Sequence, residues 1–245
     1  MLDSLLRQTK ERLLAPLAQT PLRHCHPTAI TVVGFLVGLG AAGAAAFHLY
    51  GLGLGLWGLN RVLDGVDGTL ARLQNKQSDL GGYLDIVLDI VVYAGIPIGL
   101  AYGQARLDLY LALAVLLASF YINTAAWMYL SGLLEKYQAR QGGDAPCVCD
   151  QDPDPQLLPK GSSAKGSTQS FTSLVMPSGL IEGTETIVFY TLFWLLPTHL
   201  IPLFYAMAAL VGVSILQRVL WAVKHLPLLA SQVLAAQGLD SQSRS

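Results

Sequence analysis

Four aspartates in an otherwise apolar chain, Asp64, Asp67, Asp85 and Asp89, are the residues whose type and spacing could do chemistry. The stretch 64–89 reads DGVDGTLARLQNKQSDLGGYLDIVLD, in the spacing D-x2-D-G-x2-A-R-x8-G-x3-D-x3-D, with Gly68, Ala71, Arg72 and Gly81 at the remaining fixed positions. On helices, Asp64 and Asp67 are i,i+3, and Asp85 and Asp89 are i,i+4, so each pair shares one helix face. Two such faces can meet. Four carboxylates crowded together at low dielectric repel one another, and the ordinary relief is an oxygen-binding divalent cation such as Mg²⁺ or Mn²⁺. A single aspartate has blander explanations, as a helix cap or as a buried partner for Arg61. Four at matched spacing do not, because ionisable residues at membrane depth are costly and usually functional.

That these residues lie at membrane depth follows from the rest of the chain. The sequence is 53% hydrophobic and 13% charged, with a mean hydropathy of +0.48 and a formal net charge of -1. The charged fraction is about half that of a soluble domain, which indicates an integral membrane protein, and the balanced charge gives no reason to expect a nucleic-acid partner. Residues 1–22 lack the continuous apolar run of a signal peptide, so targeting falls to the first membrane helix. Cys25, Cys147 and Cys149 are an odd set without a second CxC or a nearby His pair. They are expected to be reduced thiols on the cytoplasmic side, with metal binding by Cys147 and Cys149 the weaker alternative.

The elements that must position the aspartates can be laid out in order. Leucines interleaved with Arg7, Lys10, Glu11 and Arg12 suggest a helix in the interface plane over 1–26. A six-helix membrane core is expected over 27–223. Its first span, 29–50, is uncharged and rich in Gly and Ala, which favours close helix contact. A short turn at Gly51 leads into a second span that begins at Leu52 and runs through Asn60 and Arg61 to the first two aspartates. At 1.5 Å per residue, Asp64 lies roughly 18 Å along this helix in a core about 30 Å thick, within the membrane but nearer one face. Residues 74–78 are a polar turn, and further spans are expected at 80–102, 107–130, 181–196 and 200–223. The Gly-, Pro- and Ser-rich segment 135–178 has little periodicity and is expected to be a mobile cytoplasmic loop, and 224–245 a short amphipathic tail with a disordered end. The whole, 1–245, is then a single all-α membrane domain.

Basic residues orient this layout. Arg7, Lys10, Arg12, Arg23, Arg72, Lys76, Lys136, Arg140, Lys160, Lys165, Lys224 and Arg244 fall on one side, whereas the opposite loops offer only Arg106. By the positive-inside rule both termini and the mouth of the aspartate site are cytoplasmic, in a bacterial-type inner or cell membrane.

All eight fixed positions of the motif match, without a gap, the signature of the CDP-alcohol phosphatidyltransferase family, which this chain resembles fully over the motif and broadly over its membrane layout. The resemblance implies transfer of a phosphatidyl-type group from a CDP-linked lipid alcohol, CDP-diacylglycerol in the first instance, to a hydroxyl acceptor. CMP is released, two metal ions (Mg²⁺ or Mn²⁺) are used, and the setting is phospholipid biosynthesis in a homodimer. Carried over position by position, Asp64, Asp67 and Asp85 are metal ligands, and Asp89 is both a ligand of the second ion and the general base. Two ions can clamp a diphosphate and stabilise the departing oxygen, while a base is needed to take the acceptor's proton. No Ser, Cys or His at membrane depth has a partner that would make it a nucleophile, which favours direct attack without a covalent enzyme intermediate.

The same resemblance gives the nucleotide its contacts. Gly68 and Ala71 allow close approach to the helix, although Ala71 is equally explained as a packing position. Arg72 bridges phosphate oxygens, or else serves as a positive-inside anchor. Ser78 adds a hydroxyl, and Pro27, Thr28 and Thr31 meet the cytidine diphosphate. Gly81 is expected to permit close packing of the second and third helices. Acceptor choice is less legible. Glu182 and Glu185 either line the acceptor pocket or stabilise a helix start. Related enzymes carry Arg in this region, where this chain has Gly183 and Thr184, which argues against a phosphorylated acceptor. Asn60, Arg61 and Asn123 are polar within spans and serve either interhelical hydrogen bonds or substrate. The competing readings are the same fold with another CDP-alcohol or an amino-alcohol acceptor and, from a different class, a cation transporter.

Overall fold

A computed structural model describes residues 26–74, 76, 78–141 and 183–243, and among these the chain is helical throughout its regular structure. Among the described residues six α-helices run in chain order: α1 Pro27–Ala46, α2 Tyr50–Leu73, α3 Asp79–Gln104, α4 Leu107–Gln141, α5 Gly183–Leu195 and α6 Leu200–Ser243, with a 3-10 turn Pro197–His199 before the last. The protein is an all-α polytopic membrane protein. Among the described residues four stretches, Pro27–Ala46, Asp79–Gln104, Leu107–Tyr137 and Pro197–Leu229, are long and apolar enough to cross a bilayer by themselves. Helix α2 is long enough but carries Arg61, Asp64, Asp67 and Arg72, and α5 spans 13 described residues. The interfacial helix expected before Pro27 lies outside the described residues.

Local sequence explains the element ends. Pro27 opens α1, where its missing N–H is not needed. The chain then reverses at Phe47–Leu49 rather than at Gly51. His48 takes a left-handed φ of 59°, a region histidine tolerates better than most side chains, and its Nδ1 lies 2.8 Å from the Tyr50 hydroxyl. Gly51 is therefore inside α2. Ser78 caps α3 by accepting the Gly81 N–H at 3.1 Å, and Asp79 in the first turn favours the positive end of the helix dipole. Ala105, at φ 50°, ends α3 in a left-handed cap before α4 begins. Helix α4 continues through Gln141, past the expected loop start at Glu135, and α6 continues through Ser243, past the expected end of the last span.

By packing, the chain forms two compact units, Met1–Thr124 with Ser178–Ile215, and Ala125–Pro177 with Leu216–Ser245. In the first, α1 packs extensively on both α2 and α3. Small residues set how close they come. A methyl group added at Gly38 would stand 2.6 Å from Val92 Cγ2, and one at Gly99 would run into the backbone carbonyl of Ala42. Gly95, Gly99 and Gly103 recur every fourth residue and so form one small-residue stripe on α3, facing Ala42, Ala45 and Ala46 of α1. An aromatic core adjoins it: Trp57, Tyr93 and Tyr190 pack with ring centroids 5.1–5.8 Å apart, and Phe193 packs edge-on to Phe204. In the second unit, Leu130 and Leu134 cluster with Leu229, and Trp221 stacks on His225. Every aspartate of the motif belongs to the first unit.

Candidate metal and nucleotide site

Helix α2 carries Asp64 and Asp67 one turn apart, and α3 carries Asp85 and Asp89 one turn apart. Three of the four converge: carboxylate oxygens of Asp64, Asp67 and Asp85 all lie within 4.8 Å of one another. Opposite oxygen ligands of a small divalent cation stand about 4–5 Å apart, and hard oxygen donors suit Mg²⁺ or Mn²⁺, so this set fits such an ion. Asp67 is the most enclosed, at 5% exposure, and accepts a hydrogen bond from Thr31 Oγ1 at 2.7 Å. A void of about 10 Å³, the room of one water-sized sphere, lies between Asp64, Asp67, Asp85 and Asp89, walled by Gly34, Phe35, Asn60 and Val92.

Asp89 borders this void but is held differently from the other three. The Arg61 guanidinium donates to both of its oxygens, Nη2 to Oδ1 at 2.7 Å and Nη1 to Oδ2 at 3.3 Å. The same Nη1 lies 3.5 Å from Asp64 Oδ2, so one cation stands between the two carboxylates. Arg61 is in turn held by Tyr93 Oη at 2.8 Å and Asn60 Oδ1 at 2.7 Å, and it lies over the rings of Trp57 and Tyr93 at 4.8 and 4.9 Å. Asn60 also spends a donor on the Gly34 carbonyl at 2.8 Å, which ties α2 to α1.

A second cavity, of about 200 Å³, opens beside the trio. It brings together the residues expected to hold a nucleotide, with Thr28, Thr31, Gly68, Arg72 and Ser78 in its wall. Asp67 and Asp85 line both this cavity and the void between the aspartates, so a diphosphate seated here would touch the same carboxylates that gather an ion. Gly68 leaves its wall open, since an added methyl would meet nothing nearer than Arg72 Nη1 at 3.8 Å. Gly81 serves the turn: a methyl there would meet the capping Ser78 Oγ at 3.0 Å.

Three features escaped the sequence. Lys76 joins Arg72 in the nucleotide cavity and adds a second cation. Thr31 supports Asp67 across 36 residues, and Arg61 clamps Asp89 across 28. Only Arg61 left a sequence signal, as a charge one turn before Asp64 in an apolar helix. Glu185 stands in the first turn of α5, whereas Glu182 lies outside the described residues. Asn123 lines a separate cavity of about 520 Å³, together with Tyr93, Phe120, Tyr121, Thr124 and Thr186.

Comparison with known proteins bears on the same residues. A family model described as CDP-alcohol phosphatidyltransferase matches residues 24–223. The inner membrane protein YnjF of Escherichia coli is 33% identical over 171 residues, 70% of either chain. A bifunctional IPC transferase and DIPP synthase of Thermococcus kodakarensis is 34% identical over 119 residues, 48% of this chain and 27% of that protein. Archaetidylinositol phosphate synthase of Pyrococcus horikoshii is 34% identical over 102 residues, 40% of this chain and 50% of that protein. With the family match covering most of the sequence, and the motif aspartates drawn to one void between membrane helices, this chain belongs to the CDP-alcohol phosphatidyltransferase family and is a membrane-bound phosphotransferase.

Proposed function

We propose that the protein transfers a phosphatidyl-type group from CDP-diacylglycerol, or a closely similar CDP-linked lipid, to an uncharged hydroxyl acceptor and releases CMP. The observation that carries this reading is the double exposure of Asp67 and Asp85, to the void among the aspartates and to the cavity that holds Arg72 and Lys76. In this arrangement Asp64, Asp67 and Asp85 hold Mg²⁺ or Mn²⁺, and Asp89 completes the binding of a second ion. Bound there, the ions supply charge neutralisation for the diphosphate and for the departing phosphate oxygen.

The chain's own groups do the rest. Thr28, Thr31 and Gly68 seat the nucleotide, and the Arg72 fork takes its phosphate oxygens. Asp89 accepts the proton of the acceptor hydroxyl. The freed oxygen forms a bond to the β-phosphorus as the bond from that phosphorus to the bridging oxygen breaks, and the electron pair leaves with CMP. Asp89 can do this while Arg61 holds it, because each carboxylate oxygen has two lone-pair directions and Arg61 occupies one on each.

The cavity of about 520 Å³ is the acceptor's place in this reading. Tyr93 links it through Arg61 to Asp89, and among the described residues no charged side chain lines it, which matches a neutral alcohol better than a phosphorylated one. A second reading keeps the same chemistry with an amino-alcohol acceptor. Its support is the aromatic content of that cavity, where Tyr93, Phe120 and Tyr121 could face an ammonium group. We also infer that both termini and the nucleotide cavity are cytoplasmic, because nearly all basic residues fall on that side of the layout. The working unit is taken to be a homodimer.

The experiment that tests the whole reading uses purified protein, CDP-diacylglycerol and a panel of neutral, amino and phosphorylated alcohols, scored by CMP release. Turnover with a neutral alcohol that stops on exhaustive chelation and returns with Mg²⁺ or Mn²⁺ is expected. Full turnover after chelation would end the metal assignment.

A further inference from the structure

We propose that Arg61 is the positioning residue of the reaction, the group that fixes the Asp89 carboxylate where it can take the acceptor's proton. The inference rests on the assignment of Asp89 as the base. Its ground is the geometry around one guanidinium. Arg61 donates to both Asp89 oxygens, at 2.7 and 3.3 Å, and its remaining directions are occupied by Tyr93 Oη, Asn60 Oδ1 and Asp64 Oδ2. Two aromatic rings, Trp57 and Tyr93, close on it at 4.8 and 4.9 Å. A fork held at this many points has little freedom, so it passes its own rigidity to the carboxylate.

Bringing an arginine into a membrane interior is costly, and a lysine would suffice merely to neutralise one aspartate. What the planar fork adds is orientation, because a two-point contact sets the plane of the carboxylate as well as its place. Arg61 is not among the residues lining the nucleotide cavity or the void between the aspartates. It therefore acts through Asp89 and not by gripping the donor. Tyr93 sits on both sides of this arrangement, since its hydroxyl receives Arg61 while the residue lines the 520 Å³ cavity. The acceptor and the base are thus placed by one connected set of side chains.

The test compares full-length wild type with Arg61→Gln, Arg61→Lys, Tyr93→Phe, Asp89→Asn and the Arg61→Gln/Asp89→Asn double variant. All are reconstituted in nanodiscs with Mn²⁺, CDP-diacylglycerol and the fastest acceptor of the panel. Arg61→Gln is expected to lower kcat about 10- to 100-fold with the donor KM within about twofold, the signature of a misplaced reacting group. Arg61→Lys should recover only part of the loss. Tyr93→Phe, which keeps the charge and the ring, should lower kcat less, also without moving the donor KM. The double variant should be no slower than Asp89→Asn alone, because both changes act on one group. In metal-free protein, the carboxylate stretching bands in the infrared should shift on Arg61→Gln, and should not shift when the same change is made in the Asp89→Asn background. A rise in donor KM at constant kcat, multiplying losses in the double variant, or an unmoved carboxylate band would overturn the inference. If Asp89→Asn turns over at the wild-type rate, the base assignment falls and this proposal with it. An inactive Asp89→Asn beside a fully active Arg61→Gln removes Arg61 alone.

Discussion

One hydroxyl shows how much of this site is held from outside the motif. Thr31 donates to Asp67 at 2.7 Å from the neighbouring helix α1, and Asp67 is the most enclosed carboxylate of the trio. Groups that orient a metal ligand from behind typically change affinity or activity 10- to 100-fold when removed. Thr31→Val keeps the branched shape and removes the donor, so the Mn²⁺ dissociation constant is expected to rise about tenfold, read by titration calorimetry or by the free Mn²⁺ signal in paramagnetic resonance. An unchanged constant would mean that Asp67 is fixed by its backbone alone. The four aspartates themselves were legible in the sequence because helical spacing turns positions 64, 67, 85 and 89 into two faces. Arg61 was legible as a possible partner for a buried aspartate but not as the partner of Asp89, and Thr31 was not legible as a partner at all, because a bond across 28 or 36 residues leaves no periodic trace.

At the scale of the helices, the site depends on how closely α1 approaches α3, since Thr31 and Asp85 reach it from those two elements. Without a hydrophobic driving force between helices in lipid, that approach is set by small residues and van der Waals contact. Three glycines of α1 and α3 differ in what an added methyl would meet. At Gly99 the obstacle is the Ala42 backbone carbonyl, which cannot move without its helix; at Gly38 it is the two methyls of Val92, a stiff side chain that can shift only a little; at Gly43 there is open space. Alanine at Gly99 is therefore expected to cost about 2–3 kcal/mol, at Gly38 about 1 kcal/mol, and at Gly43 less than about 0.5 kcal/mol. Unfolding in mixed micelles would measure the series. Equal losses at all three would mean that close approach does not limit packing. The Gly99 change should also weaken Mn²⁺ binding, because it moves α1 and Thr31 away from Asp67. Helix existence was legible from hydropathy and from the polar turn at 74–78. The first reversal was not, because glycine is the default turn residue and the chain instead uses the left-handed tolerance of His48. The ends of α4 and α6 were missed because both helices stay apolar beyond the expected spans, α4 through Tyr137 and α6 through Leu229, and meet in their own apolar seam at Leu130, Leu134 and Leu229.

For the molecule as a whole, the functional consequence turns on which side of the membrane the nucleotide cavity faces, because CDP-linked donors carry a large polar head that cannot cross the apolar core unaided. Two marks on the chain separate the alternatives. Lys76 lines the nucleotide cavity between α2 and α3, and Asp108 sits in the first turn of α4, paired with Arg106, one full membrane helix away from the cavity mouth. The charge asymmetry predicts that the first is cytoplasmic and the second external. In a background with Cys25, Cys147 and Cys149 replaced by serine, a membrane-impermeant thiol reagent added to intact cells should label Asp108→Cys and leave Lys76→Cys unlabelled. After the cells are opened, both should react. Addition of CDP-diacylglycerol with Mn²⁺ should then slow labelling at position 76 and leave position 108 unaffected, because only the former borders the space a diphosphate would fill. Labelling of position 76 from outside would reverse the orientation. Labelling there at the same rate with and without the CDP-lipid would remove the donor from this cavity, whichever way the protein faces.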